Sequence, residues 1–193
     1  MRKRSRTVAL SILGATAFAL AGCREEQVDA QAFPDIESCK AASSQGGLFS
    51  VQECDAAFAE AQTLHVESAP RYDSVAVCEE QHGDGACGSE DQVAGGGSGS
   101  IFMPLLAGYL IGNMLGGRGG LAGAQPLYRN ASGGYTDAAR SSSYSSNSGK
   151  AKLGASKFSK PPATVGKAPM SRATAMSRGG FGSSGSSRGM FGG

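Results

Sequence analysis

Ile101-Phe102-Met103-Pro104-Leu105-Leu106-Ala107-Gly108-Tyr109-Leu110-Ile111-Gly112-Asn113-Met114-Leu115-Gly116-Gly117 is the stretch on which the fold turns. No charged residue occurs from Gln92 to Gly117. Pro104 suits the first turn of a helix. Gly108, Gly112 and Gly116 recur at every fourth position, which on a helix forms one smooth stripe open to close backbone approach. The spacing predicts a short, glycine-zipper-like apolar helix over 101–117. Such a helix packs against a partner, including a second copy of the chain, lies in a bilayer interface, or covers a neighbouring domain. A complete crossing needs about 20 apolar residues, and this segment falls short of it.

Upstream, Gly95-Gly96-Gly97-Ser98-Gly99-Ser100 makes 93–100 a flexible linker by composition. Before it, residues 33–92 carry Cys39, Cys54, Cys78 and Cys87. An even cysteine count with no close C-x-x-C pair predicts two disulfides rather than a metal site or a redox dithiol. A faint repeat aligns Phe33-Pro34-Asp35-Ile36-Glu37-Ser38-Cys39 with Tyr72-Asp73-Ser74-Val75-Ala76-Val77-Cys78. In each copy an aromatic residue stands six positions before the cysteine, and an Asp can cap a short helix. The repeat favours local pairs, Cys39–Cys54 and Cys78–Cys87. A nested pattern, Cys39–Cys87 with Cys54–Cys78, would staple a helical hairpin instead. Between the copies, Ala57, Phe58, Ala61, Leu64 and Ala69 fall mostly on one helical face, and Pro70 ends the pattern.

The whole chain has 193 residues with 30 glycines, no tryptophan and 7% aromatics, too few large side chains for a core along its full length. The expected fold is therefore a small, disulfide-stapled all-α head of two to three short helices, then the short glycine-spaced helix, with disorder elsewhere. A two-domain enzyme, a multi-span transporter and a large barrel are excluded on the same grounds.

The amino terminus reads as a lipoprotein signal peptide over 1–22. Arg2, Lys3, Arg4 and Arg6 precede an uncharged apolar run that ends at Leu20-Ala21-Gly22-Cys23. Cys23 is the expected lipid-attachment residue, with 23–32 a tether. Arg24 after it favours the outer membrane, facing the periplasm. Charge is segregated along the rest. Residues 24–117 hold 3 basic and 15 acidic residues, whereas 118–193 hold 11 basic residues and only Asp137. The basic, Gly/Ser/Ala-rich tail over 118–193 either folds back on the acidic head, meets an anionic lipid or polymer of the envelope, or serves as a self-neutralised spacer. Its Arg178-Gly179-Gly180-Phe181-Gly182 and Arg188-Gly189-Met190-Phe191-Gly192 runs would suggest RNA contact in a cytosolic protein, but an exported chain meets no nucleic acid.

No enzyme signature survives inspection. Gly83-Asp84-Gly85-Ala86-Cys87-Gly88 fits G-x-G-x-x-G only in letters, without a preceding strand or a long following helix. His65 and His82 have no recognisable nucleophile or zinc partners, and no G-x-S-x-G occurs. No cofactor and no metal are expected, and the predicted role is structural or interactive rather than catalytic.

Taken together, Leu20-Ala21-Gly22-Cys23, the four-cysteine head, Ala69-Pro70-Arg71-Tyr72, Met103-Pro104-Leu105-Leu106-Ala107-Gly108-Tyr109, Gln125-Pro126-Leu127-Tyr128 and Arg178-Gly179-Gly180-Phe181-Gly182 resemble the YgiB-type family of Gram-negative envelope proteins. The resemblance covers nearly the entire mature chain and implies no catalytic residue.

Overall fold

The computed structural model describes residues 25–113 and 123–178. The organising element is a sheet, not a helical head. Six antiparallel strands lie in the order β7-β6-β5-β4-β1-β8. They are β1 (Gln27–Phe33), β4 (Gly108–Asn113), β5 (Gly123–Arg129), β6 (Tyr135–Asp137), β7 (Ser143–Tyr144) and β8 (Gly149–Gly154). Two short strands, β2 (Cys87–Ser89) and β3 (Phe102–Pro104), pair separately. The helices are α1 (Ile36–Ser44), α2 (Val51–Ser68), α3 (Val75–His82), α4 (Glu90–Ala94) and α5 (Arg172–Ser177).

The expected all-α head is thus corrected, and so is the glycine helix. Residues 102–104 and 108–113 form strands, with Gly108 and Gly112 both in β4; Gly116 lies outside the described residues. A step of four is even, so it keeps to one face of a strand as well as of a helix. Tyr109 and Ile111 join the cluster beneath α2, and Leu110 joins the one on the opposite face. β4 lies between β1 and β5 and is buried on both faces. A charge-free run is the mark of such a strand.

The glycines serve this sheet. Gly112 pairs with Gly123, and a Cβ on Gly112 would stand 2.6 Å from the Phe158 ring, one on Gly123 2.9 Å from the Phe158 Cβ. Together they form the dent into which the 3-10 turn Ala155–Phe158 presses its aromatic residue. At Gly108, φ is +144° and the Phe33 carbonyl lies 2.7 Å from where a Cβ would sit. Gly108 and Gly112, read as part of a helix-packing stripe, are covered from within the chain by Phe33 and Phe158.

The disorder expected over 118–193 is corrected for its described residues, 123–178. β5 to β8 come from the tail, and β8 pairs along β1 from Gln27↔Gly154 to Ala32↔Gly149. The expected tether contains β1. Charge segregation is resolved by pairing across the sequence: Lys152 with Asp29 at 2.8 Å, Lys160 with Glu67 at 2.7 Å, and Arg172 with Glu80. The basic half folds back on the acidic half.

The helices follow local rules. Asp35 caps α1 by accepting from Ser38 N–H at 2.7 Å. Ser50 and Glu53 cap α2 reciprocally, Ser50 N–H donating to Glu53 at 2.7 Å. In the second repeat copy the cap is Ser74 rather than Asp73. Cys54, Ala57 and Ala61 lay α2 on Tyr109, Ile111 and Ala124 of the sheet. Disulfides join Cys39 to Cys54, linking α1 and α2, and Cys78 to Cys87, linking α3 and β2. Across the sheet, β7 and β8 border a groove of about 310 Å³ floored by Ala30, Ala32 and Leu110.

Candidate functional site

Helix α2 stops at Ala69-Pro70, and its last carbonyls need donors. Arg71 supplies them. It is buried (3% exposed) and its Nη2 donates to Val66 O at 2.7 Å, its Nη1 to Ala69 O at 3.2 Å. Nη1 also reaches Thr164 Oγ1 at 2.5 Å, and Nε meets Glu90 Oε1 at 2.6 Å. The Glu90 carboxylate accepts Ser98 N–H at 3.0 Å, so the Gly/Ser stretch 95–100 wraps a charge instead of running free. That backbone bond, then the Arg71 guanidinium, hold the Glu90 carboxyl below the usual range. Thr164 in turn donates to Ala69 O at 2.6 Å. One guanidinium thereby ties α2, α4 and the segment around residue 164 together.

Beside this knot lies a cleft of about 470 Å³. Four cations line it: Arg71, Arg140, Lys167 and Arg178; its lining includes no carboxylate. Its apolar wall includes Pro70, Pro162, Pro169 and Met170. Arg140 is held in the left-handed region (φ 57°) by its N–H donating to Asp137 O at 3.0 Å, with Nη2 donating to Gln81 Oε1 at 2.9 Å. Met170 is fixed by backbone bonds to Arg71 and Asp73. Lys167 and Arg178 are exposed, and neither has a carboxylate partner among the described residues. Low-dielectric walls around such charges strengthen the field at the mouth. Chemically, the cleft is suited to receive an anion.

A second polar group lies deeper. Tyr72 OH is 2.9 Å from His82 Nε2, and His82 Nδ1 is 2.7 Å from Arg129 O. A carbonyl only accepts, so Nδ1 of the neutral ring carries the proton and Nε2 accepts from Tyr72. His65 Nδ1 meets Tyr128 OH at 3.1 Å, and the Tyr128 ring packs edge-on to His82. Burial lowers both histidines to about 4, with the Arg71 charge adding to the effect at His65. Burial also pushes Tyr72 up to about 12 and raises Tyr128. These groups are neutral near pH 7 and satisfy one another, as polar core does. Among the described residues no three His, Cys, Asp or Glu side chains gather as metal ligands.

The site residues expected from the sequence are dispersed. Cys39, Cys54, Cys78 and Cys87 form the two cross-links, Gly108 and Gly112 shape β4, and Cys23 lies outside the described residues. The cleft residues were not anticipated. One signal was present: Arg71 is one of three cations among fifteen carboxylates in residues 24–117, directly behind Ala69-Pro70. No described helix is long and apolar enough to cross a membrane.

Over residues 27–192 the chain matches the model of a family described as a protein of unknown function, DUF1190. It is 30% identical over 182 residues to a UPF0441 protein of Klebsiella pneumoniae, covering 86% of this chain and 76% of the relative. A UPF0441 protein of Erwinia tasmaniensis is 31% identical over 192 residues, with 92% and 79% covered. No solved structure matches the chain.

Proposed function

Starting from the chain's membership of the DUF1190 family, which the match and the relatives establish as its family, we propose that it is a non-enzymatic lipoprotein of the cell envelope with a structural or interaction role. In this reading residues 1–22 are removed and acyl chains on Cys23 hold it at the outer membrane, facing the periplasm. The observation that carries the reading is the pair of disulfides, Cys39–Cys54 and Cys78–Cys87, downstream of a lipobox-like Leu20-Ala21-Gly22-Cys23. Disulfides persist in oxidising compartments such as the periplasm.

The tether is short. β1 begins at Gln27, four residues beyond Cys23, and four extended residues span about 14 Å at most. The body would therefore sit against the membrane surface. Three cations of the basic half, Lys152, Lys160 and Arg172, are paired internally, while Lys167 and Arg178 lie on the cleft. The titratable histidines are occupied in the core, which favours binding over chemistry.

Mass spectrometry of the mature chain tests this directly. The expected result is an N-terminal Cys23 bearing acyl chains, no free thiol at the other four cysteines, and release from the outer-membrane fraction in Cys23→Ala. A mature N-terminus elsewhere, or a Cys23→Ala chain that stays membrane-bound, would overturn it.

A further inference from the structure

We infer that the cleft beside Arg71 is a binding site for a phosphate monoester carried on an organic body. The inference rests on the cleft alone, so its failure and the failure of the lipid anchor are separate results.

Charge sets the ligand's valence. Arg71 is neutralised by Glu90 at 2.6 Å and the Arg140 guanidinium is engaged with Gln81 at 2.9 Å, whereas Lys167 and Arg178, both on the lining, have no carboxylate partner among the described residues. Two such cations match a group carrying close to two negative charges. A phosphate monoester does so above its second pKa of about 6, and a carboxylate supplies only one. A guanidinium and an ammonium on one lining also suit several oxygens on one centre, with Arg178 Nη1 turned to Met170 Sδ at 3.8 Å. No acidic side chain on the lining opposes entry.

The volume sets the rest. About 470 Å³ is in the range of small-molecule sites, well beyond one phosphate group. Pro162, Pro169 and Met170 supply apolar wall for a body attached to the ester. The frame is pre-formed. Thr164 is clamped between Arg71 and Ala69 O, and Met170 N–H donates to Arg71 O at 2.8 Å, so the segment bearing Lys167 is pinned on both sides.

Calorimetry against glycerol 3-phosphate, inorganic phosphate and acetate uses the full chain in detergent, and flotation with vesicles uses the Cys23→Ala chain without detergent, so that acyl groups cannot themselves carry it to a bilayer. Glycerol 3-phosphate is expected to bind with salt-dependent affinity, and acetate is not. Lys167→Gln/Arg178→Gln should weaken binding at least about tenfold, the scale of losing charge-assisted bonds. Lys152→Gln, at an exposed pair remote from the lining, should leave it unchanged. Flotation with phosphatidylcholine vesicles doped with phosphatidic acid, but not with phosphatidylcholine alone, assigns the ester to a lipid headgroup. Binding of the soluble ester without flotation assigns it to a free ester. No binding of any phosphate probe, equal affinity for acetate, or an unchanged affinity in the double variant would each overturn the proposal.

Discussion

Adding one methyl group at Gly112 probes the fold at its most contested point. A Cβ there would lie 2.6 Å from Cε2 and Cζ of Phe158, where ordinary contact begins near 3.4 Å. The ring cannot slide freely towards β5, because Gly123 already holds its Cβ closely. Overpacking of this kind costs about 1–3 kcal/mol. Gly112→Ala is therefore expected to lower the melting temperature by roughly 2–10 °C at this chain length. Phe158→Ala alone should cost about 3 kcal/mol, since the side chain is 8% exposed. In the Phe158→Ala background, Gly112→Ala should become neutral or stabilise by up to about 1 kcal/mol, through reduced entropy of the unfolded chain. The double-mutant cycle thus predicts a favourable coupling of about 2 kcal/mol. Gly96→Ala, with open space around it, is the neutral control. Urea unfolding monitored by circular dichroism with disulfides intact reads all four species. A helical 101–117 segment would give the opposite sign, since Gly→Ala stabilises a helix by about 1 kcal/mol. Additive costs, or a stabilised Gly112→Ala single variant, would refute the packing of Phe158 on Gly112 in the sheet.

Three further outcomes follow from the core. His65 and His82 bind protons at about 4 when folded and near 6.5 when unfolded, so the unfolded state takes protons first as pH falls. Stability should be full above about pH 6.5 and decline towards pH 4, by up to roughly 3 kcal/mol per ring, and the decline of urea midpoints across that window should be roughly halved in His82→Gln, which keeps His65. Removing the Cys39–Cys54 bond as Cys39→Ala/Cys54→Ala should cost about 3 kcal/mol, and Cys78→Ala/Cys87→Ala about 2.6 kcal/mol, by loop-closure entropy. Chemical denaturation of the oxidised parent and each variant checks both. Glu90→Gln leaves the Arg71 guanidinium buried without its partner and should destabilise by about 3–5 kcal/mol, whereas Arg71→Met/Glu90→Leu should cost clearly less. Equal losses in the two would show that hydrogen bonding to carbonyls and Thr164, not charge pairing, dominates at that knot.

What could be read from the sequence was local. The Asp35 cap, the body of α2 over Ala57, Phe58, Ala61 and Leu64, and its end before Pro70 depend on neighbours within a few residues. The sheet depends on distant partners. Gly108 and Gly112 obey a step of four that helix and strand share, and only the alternation of Tyr109 and Ile111 against Leu110 distinguishes them. β5 was hidden by Pro126, a residue that ordinarily argues against a central strand. β8, Gly-Lys-Ala-Lys-Leu-Gly, is mostly exposed and has little apolar content of its own; the ladder along β1 gives it order. The cleft was illegible for a related reason. Arg71 is one of three cations in the acidic half, but Thr164, Lys167 and Arg178 reach it only after the basic half has folded across the acidic one.

The position of β1 orders events in time. This strand leaves the ribosome before its partners, yet Phe33 must wait for Tyr109 and Gln27 for Gly154 before either edge is occupied. Oxidation has no such delay, because Cys54 follows Cys39 by 15 residues and Cys87 follows Cys78 by 9. Each cross-link needs only chain already present before the sheet's last strand exists. A polypeptide shortened ahead of Gly149 would keep both cysteine pairs while leaving the β1 edge open, a form that invites aggregation and proteolysis.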